Sequence, residues 1–151
     1  MTKTRGFELI TEYKGHEYLL PVRGTTGSAG YDFKSAESVV LEPGKVQIVS
    51  TGIKSYMGDD EYLQLQMRSS FASKNQVIIP QSVGIIDSDY YNNESNEGHI
   101  MVALLNLSDK DVEINAGERI AQGIFLNYLT VDNDMPTSNV RNGGFGSTGV
   151  K

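Results

Sequence analysis

The 151-residue chain contains no cysteine and no tryptophan, only two histidines and four prolines. Without cysteine there are no disulfides, no thiolate metal sites and no cysteine nucleophile. His16 and His99 alone cannot supply a multi-histidine zinc site, and neither is assigned a role. No apolar run reaches the length of a membrane span. The opening residues Met1-Thr2-Lys3-Thr4-Arg5-Gly6 lack the apolar segment of a signal peptide, so the sequence predicts a soluble, cytoplasmic protein. Positive charge is scarce too. The net charge of −6 argues against a binder of nucleic-acid backbone, whose footprint is a basic face. Nor does any segment sustain a long 3.6-residue apolar pattern, which excludes a helical bundle.

What is present is a period of two. In Tyr62-Leu63-Gln64-Leu65-Gln66-Met67 the apolar residues Leu63, Leu65 and Met67 share one face, as on a half-buried strand. Segments 46–49, 77–79, 83–86, 100–105 and 120–129 read as further strands. Pro43-Gly44, Gly58-Asp59-Asp60, Asn92-Asn93 and Asn115-Ala116-Gly117 punctuate them as turns. One or two helical turns are expected at Ser69–Lys74, with a serine as the cap. Length and pattern together predict one all-β domain, a jelly-roll-like barrel with many short strands and one short helix. Residues 1–140 form that domain, followed by a flexible glycine-rich arm at 141–151.

Five segments carry chemistry. The arm Arg141-Asn142-Gly143-Gly144-Phe145-Gly146-Ser147-Thr148-Gly149 puts one aromatic among four glycines, between an arginine and two hydroxyls. Glycine-rich backbone cradles anions, the arginine adds charge, and Phe145 suits a flat ring, so the arm reads as a lid for a phosphorylated aromatic ligand or as a frayed terminus. Gly27-Ser28-Ala29-Gly30-Tyr31-Asp32 is a tight turn entering a strand. Arg68-Ser69-Ser70 ahead of a helix makes a phosphate seat, although capping is the commoner use of such serines. Gly84-Ile85-Ile86-Asp87-Ser88-Asp89-Tyr90 delivers Asp87 at the end of an apolar strand. A partly buried carboxylate there suits a general base, and on spacing alone a turn aspartate accounts for it too. In Gly117-Glu118-Arg119-Ile120-Ala121-Gln122, strand alternation points Arg119 and Gln122 to opposite faces unless the strand is bulged.

In this order the five segments resemble the trimeric dUTP diphosphatases, the dUTPases, over nearly the whole chain from Leu20-Pro21-Val22-Arg23 to the arm. The most specific pair is Gly-Ile-Ile-Asp-Ser-Asp-Tyr with Gly-Gly-Phe-Gly-Ser-Thr-Gly. The resemblance implies a jelly-roll homotrimer with sites shared between subunits. It implies Mg²⁺-dependent hydrolysis of dUTP to dUMP and diphosphate, limiting uracil in DNA and supplying the dTMP precursor. It makes Asp87 the base that activates the attacking water. The hairpin from Gly84 to Ile100, with Ile86 and Gly98, frames the uracil, and Tyr90 lies under the deoxyribose. Arg68, Ser69, Ser70 and Gln122 bind phosphates, and Asp32 stands near the water shell of the metal. Phe145 covers the base, while Arg141, Gly146, Ser147 and Thr148 close on the terminal phosphate.

Three departures from the family pattern stand out. Seven residues, Tyr91–Glu97, separate Tyr90 from Gly98 where the pattern has one, which predicts a polar loop at the hairpin tip. Met67 replaces a glycine, and one residue is missing between Arg141 and Phe145. Two rivals remain: a dCTP deaminase of the same fold, and an added regulatory role in which a protein partner grips the inserted loop.

Overall fold

The computed structural model describes residues 2–139 and 141. Eleven strands, β1 to β11, and one α-helix follow one another along the described chain, with three short 3-10 turns between them. One sheet runs β1(Gly6–Leu9), β5(Val46–Tyr56), β9(Ile100–Asn106), β7(Val77–Ile78). The other large sheet runs β2(Val22–Arg23), β3(Tyr31–Lys34), β11(Arg119–Asn127), β6(Glu61–Met67), β8(Gly84–Asp87). The pair β4(Val39–Leu41) and β10(Val112–Ile114) completes the barrel. All ladders are antiparallel.

The period of two becomes the core. Leu63 and Leu65 of β6 are buried, and Tyr62, Gln64 and Gln66 on the other face are half-exposed. They join Phe33 of β3 and Ile120 of β11 in one cluster with Val49 and Ile53 of β5 and Ile100, Val102 and Leu104 of β9. Burying a leucine of this kind contributes roughly 1.5–3 kcal/mol. β5 is far longer than segment 46–49 because it continues through a register shift between Ser50 and Ile53. Gly52 sits at that shift with φ +75°, and a side chain there would press on Leu19 and Tyr13. Glycine lets the strand bend and serve two neighbours, β9 and β1.

Two local expectations are corrected. The helix α1 spans Ser69–Asn75, but Arg68 occupies the cap position and no side chain caps it. Arg68 prolongs the extended backbone of β6 and takes the cap position itself, so Ser69 is already helical and the helix starts a residue earlier than a Ser69 cap requires. The expected hairpin from Gly84 to Ile100 is not a ladder either. β8 pairs with β6 and β9 pairs with β5 and β7, so residues 88–99 cross from one sheet to the other.

Candidate functional site

The sequence-predicted residues fall into two groups at opposite ends of β6. At its C-terminal end, β11 lies between β3 and β6, and Gln122 faces Asp32 on one side and Gln66 on the other. The Gln122 amide donates to the Met67 carbonyl at 3.2 Å. Its oxygen lies so close over Gly30 that a Cβ at that position would collide with it. Gly30 therefore has a specific use: it admits the Gln122 side chain.

Arg68 Nε donates to Asp32 Oδ1 at 3.0 Å, and Arg119 Nη1 reaches Asp32 Oδ2 at 3.5 Å. Arg119 and Gln122, which plain alternation sends apart, line the same cleft. A register shift between Arg119 and Ala121 is the reason. The cleft has a volume of about 280 Å³ and also takes in Ser69 and Ser70. Two guanidiniums against one carboxylate leave it positive, and the first turn of α1 adds N–H groups. It suits an anion with several oxygens.

No group of three His, Cys, Asp or Glu able to hold a metal occurs among the described residues. Asp32, already engaged by two arginines, suits contact with a cation through water. That donor set fits Mg²⁺ carried in by phosphate and water oxygens. A larger cleft of about 360 Å³ lies beside Arg5, Arg23, Glu61 and Phe125. None of the predicted site residues lines it, and an Arg5–Glu61 pair at 2.6 Å forms part of its wall.

At the other end of β6, Asp87 stands opposite Tyr62 and Gly84 opposite Leu65. Ile86 turns into the core, whereas Ile85 and Asp87 point outward. The expectation of a partly buried Asp87 is thus corrected: its side chain is 55% exposed, as alternation at a strand end dictates. Arg141 lies on it, with Nη2 at 2.6 Å from Asp87 Oδ2, Nε at 2.8 Å from Asp89 Oδ1 and the guanidinium carbon 5.8 Å from the centre of the Tyr90 ring. Phe145, Gly146, Ser147 and Thr148 lie outside the described residues.

Tyr90 is buried, and burial pushes its phenol pKa up. Its hydroxyl donates to the His99 carbonyl at 2.6 Å and accepts from Asn96 Nδ2 at 2.8 Å. Ile100 is buried at the start of β9, and Gly98 has φ +84° with Tyr90 O and Asn92 N within 3 Å of where a Cβ would sit.

The segment Tyr91–Glu97 is a polar loop, with Asn92, Glu94 and Ser95 exposed, and it is tied to the body of the barrel. Asn93 is buried, Tyr91 Oη donates to Glu8 at 2.5 Å, and Glu97 accepts from Lys54 at 2.8 Å and from the Thr11 N–H at 3.1 Å. Burial first, then the bond to Glu8, pushes the Tyr91 pKa up to about 12. The bond from Lys54 holds the Glu97 carboxyl below its usual value. Sequence reading missed Glu8, Lys54 and Asn96. The loop partners of Glu8 and Lys54 lie 38 to 83 residues away and leave no local signal, whereas Asn96 bonds Tyr90 only six residues back, within the loop.

The two groups do not meet within one chain. Asp87 sits across from Tyr62, and Arg68 follows Met67 at the far end of the same strand. That spacing corresponds to about 20 Å along β6, at the usual strand rise.

Comparison with known proteins fits this architecture. The dUTPase family model matches residues 16–149. The deoxyuridine 5'-triphosphate nucleotidohydrolase of Lactococcus lactis is 45% identical over 149 residues, covering 98% of this chain and 99% of the relative. That of Helicobacter pylori strain J99 is 38% identical over 136 residues, covering 87% and 90%. The crystal structure of dUTPase from Streptococcus mutans superposes with a TM-score of 0.82 at 48% identity, over 85% of this chain and 99% of that one. A dUTPase of Staphylococcus bacteriophage 80alpha, solved with dUpNHpp, shares the fold, with a TM-score of 0.71 at 22% identity over 91% and 98%. The family match over most of the chain and relatives of this identity place the chain among the nucleotidohydrolases of the dUTPase type. The chain belongs to the dUTPase family and is an enzyme of that family.

Proposed function

We propose that the chain hydrolyses dUTP to dUMP and diphosphate, with Asp87 as the base that activates water against the α-phosphorus. The observation that carries this reading is the outward carboxylate of Asp87 beside the clamped, buried ring of Tyr90. An accessible carboxylate at a rigid strand end holds a water in line, which is what phosphoryl transfer asks of a base. Arg141 must leave Asp87 for that water to enter. Released, its guanidinium is suited to the terminal phosphate, alongside Gly146, Ser147 and Thr148.

Arg68, Ser69, Ser70 and Gln122 bind the phosphate chain. The amide and hydroxyl donors orient it, and the guanidinium stabilises the charge that builds up in the transition state. Asp32 would stand beside the waters of a bound Mg²⁺, which would supply further neutralisation of the triphosphate charge. Uracil is read by main-chain groups of the segment from Gly84 and Ile86 to Gly98 and Ile100 and covered by Phe145.

Because one chain's Asp87 and Arg68 stand about 20 Å apart along β6, each working site takes them from different copies. A homotrimer meets that requirement, with residues 1–140 as its body and 141–151 as the lid. In the cell such an enzyme, placed in the cytoplasm, limits uracil in DNA and provides dUMP for dTMP synthesis.

Product analysis across dUTP, dCTP, dTTP and UTP tests the reading. Diphosphate and dUMP from dUTP, with the other nucleotides much poorer in kcat/KM, is the expected result. Ammonia released from dCTP at a comparable rate would establish the deaminase alternative instead.

A further inference from the structure

The inserted segment does something the reaction does not obviously require: it grips Tyr90 twice. Asn96 Nδ2 donates to the Tyr90 hydroxyl at 2.8 Å, while that hydroxyl donates to the His99 carbonyl at 2.6 Å. Asn93 Nδ2 donates to the Tyr90 main-chain carbonyl at 2.8 Å and to Asn96 Oδ1 at 2.8 Å. Asn93 Oδ1 in turn accepts from the N–H groups of Ser95 and Asn96, and Asn96 Oδ1 from that of Gly98. Each amide has its O and N assigned by these partners, so neither side chain is free to flip. The unit is anchored from outside by Lys54, which bonds Glu97 and Asn92 at 2.8 and 2.7 Å.

We propose that Asn96, with Asn93 behind it, is a positioning pair that stiffens Tyr90 and thereby sets the discrimination between deoxyribonucleotide and ribonucleotide. The inference rests on the reading above that Tyr90 packs under the sugar. A ring excludes a 2′-hydroxyl only as strongly as it resists displacement. A phenol tied at both its donor and its acceptor side, on a carbonyl held by a second amide, yields least. A buried network with every member satisfied has this rigidity, and removing one member releases the rest. Asn96 acts through the Tyr90 hydroxyl. The insertion is therefore part of the selectivity apparatus and not an appendage to it.

The test is kcat/KM for dUTP and UTP in the intact trimer, compared among the parent, Asn96→Ala, Tyr90→Phe and the double variant. Tyr90→Ala is measured beside them. Asn96→Ala should keep kcat for dUTP within a few-fold, yet lower the dUTP-to-UTP ratio about five-fold, the scale of one lost hydrogen bond. In the Tyr90→Phe background the same change should add nothing, because the hydroxyl through which Asn96 acts is gone. A general loosening of the loop would slow both substrates alike and persist in that background, and either outcome overturns the proposal. Where Asn96→Ala does not assemble, Asn96→Ser keeps an acceptor near Gly98 but cannot reach the phenol, and the same pattern is expected of it. If Tyr90→Ala relaxes the ratio and neither Asn96 variant does, the positioning role is wrong while the sugar contact stands. If Tyr90→Ala leaves the ratio unchanged, the sugar contact itself is wrong and the positioning role falls with it.

Discussion

Arg68 and Tyr90, near the two ends of β6, are held by opposite means. Around Arg68 the work is done by charge: Asp32 sits between two guanidiniums at 3.0 and 3.5 Å, and Gln122 hangs from a single 3.2 Å bond over Gly30. Around Tyr90 it is done by neutral amides, and Asn93 and Asn96 satisfy one another as they hold the ring. The first arrangement leaves room for an anion to enter and re-partner the arginines. The second leaves no slack. Exchangeable ion pairs suit the phosphate binding proposed for the cleft, and a closed network suits the sugar discrimination proposed for Tyr90.

Breaking the catalytic end has the largest expected effect. Asp87→Asn keeps size and exposure but removes the base. It should lower kcat by at least ~10²-fold with dUTP still bound. Isothermal titration with a non-hydrolysable dUTP analogue beside steady-state kinetics separates the two quantities. Near-parental turnover would show that Asp87 is only a strand-end aspartate.

The cleft end is sharpened by a smaller change. Gly30→Ala forces Gln122 off its place, because the new Cβ collides with the amide oxygen. KM for dUTP should rise several-fold at little cost in folding, and Gly30→Ala combined with Gln122→Ala should be no worse than Gln122→Ala alone. Additive losses would mean that Gly30 serves the turn and not the glutamine.

The smallest effect is a pH dependence tied to the connection that carries Tyr90. The Gly52 N–H donates to His99 Nε2 at 3.0 Å, so that nitrogen is unprotonated, and burial lowers the His99 pKa against the opposing pull of Glu12, Glu37 and Glu97. A histidine lowered in the fold binds protons more readily when unfolded. Its contribution is therefore full above the ordinary value of 6.5 and is lost as the pH falls below it. Glu97, also lowered, adds a separate loss below 4.5. Urea midpoints at pH 7.5 and 5.5 should differ in the parent and converge in His99→Gln. An unchanged gap would place the sensitive group elsewhere.

Legibility in the sequence followed the same division. The strands were readable where alternation was strict, as at Leu63 and Leu65, and the segment Arg68-Ser69-Ser70 was readable because its residues are contiguous. The bulge that turns Arg119 and Gln122 into one cleft was not, since a register shift depends on the partner strand β3. The insertion looked like a polar loop because polarity is all that composition reports. That its amides turn inward depends on Glu8, Thr11 and Lys54, far off in the chain.

The reading proposed for the site requires that its Asp87 and Arg68 come from different chains. Co-refolding Asp87→Asn with Arg68→Ala, each inactive alone, tests it most directly. A site that takes Asp87 from the second protein and Arg68 from the first is intact, and random assembly makes about a quarter of sites so. Activity rising well above both parents, in mixed trimers isolated by differential tags, is the predicted result. If both residues serve a site within their own chain, every site keeps one lesion and the mixture stays as inactive as its parents, which contradicts the claim.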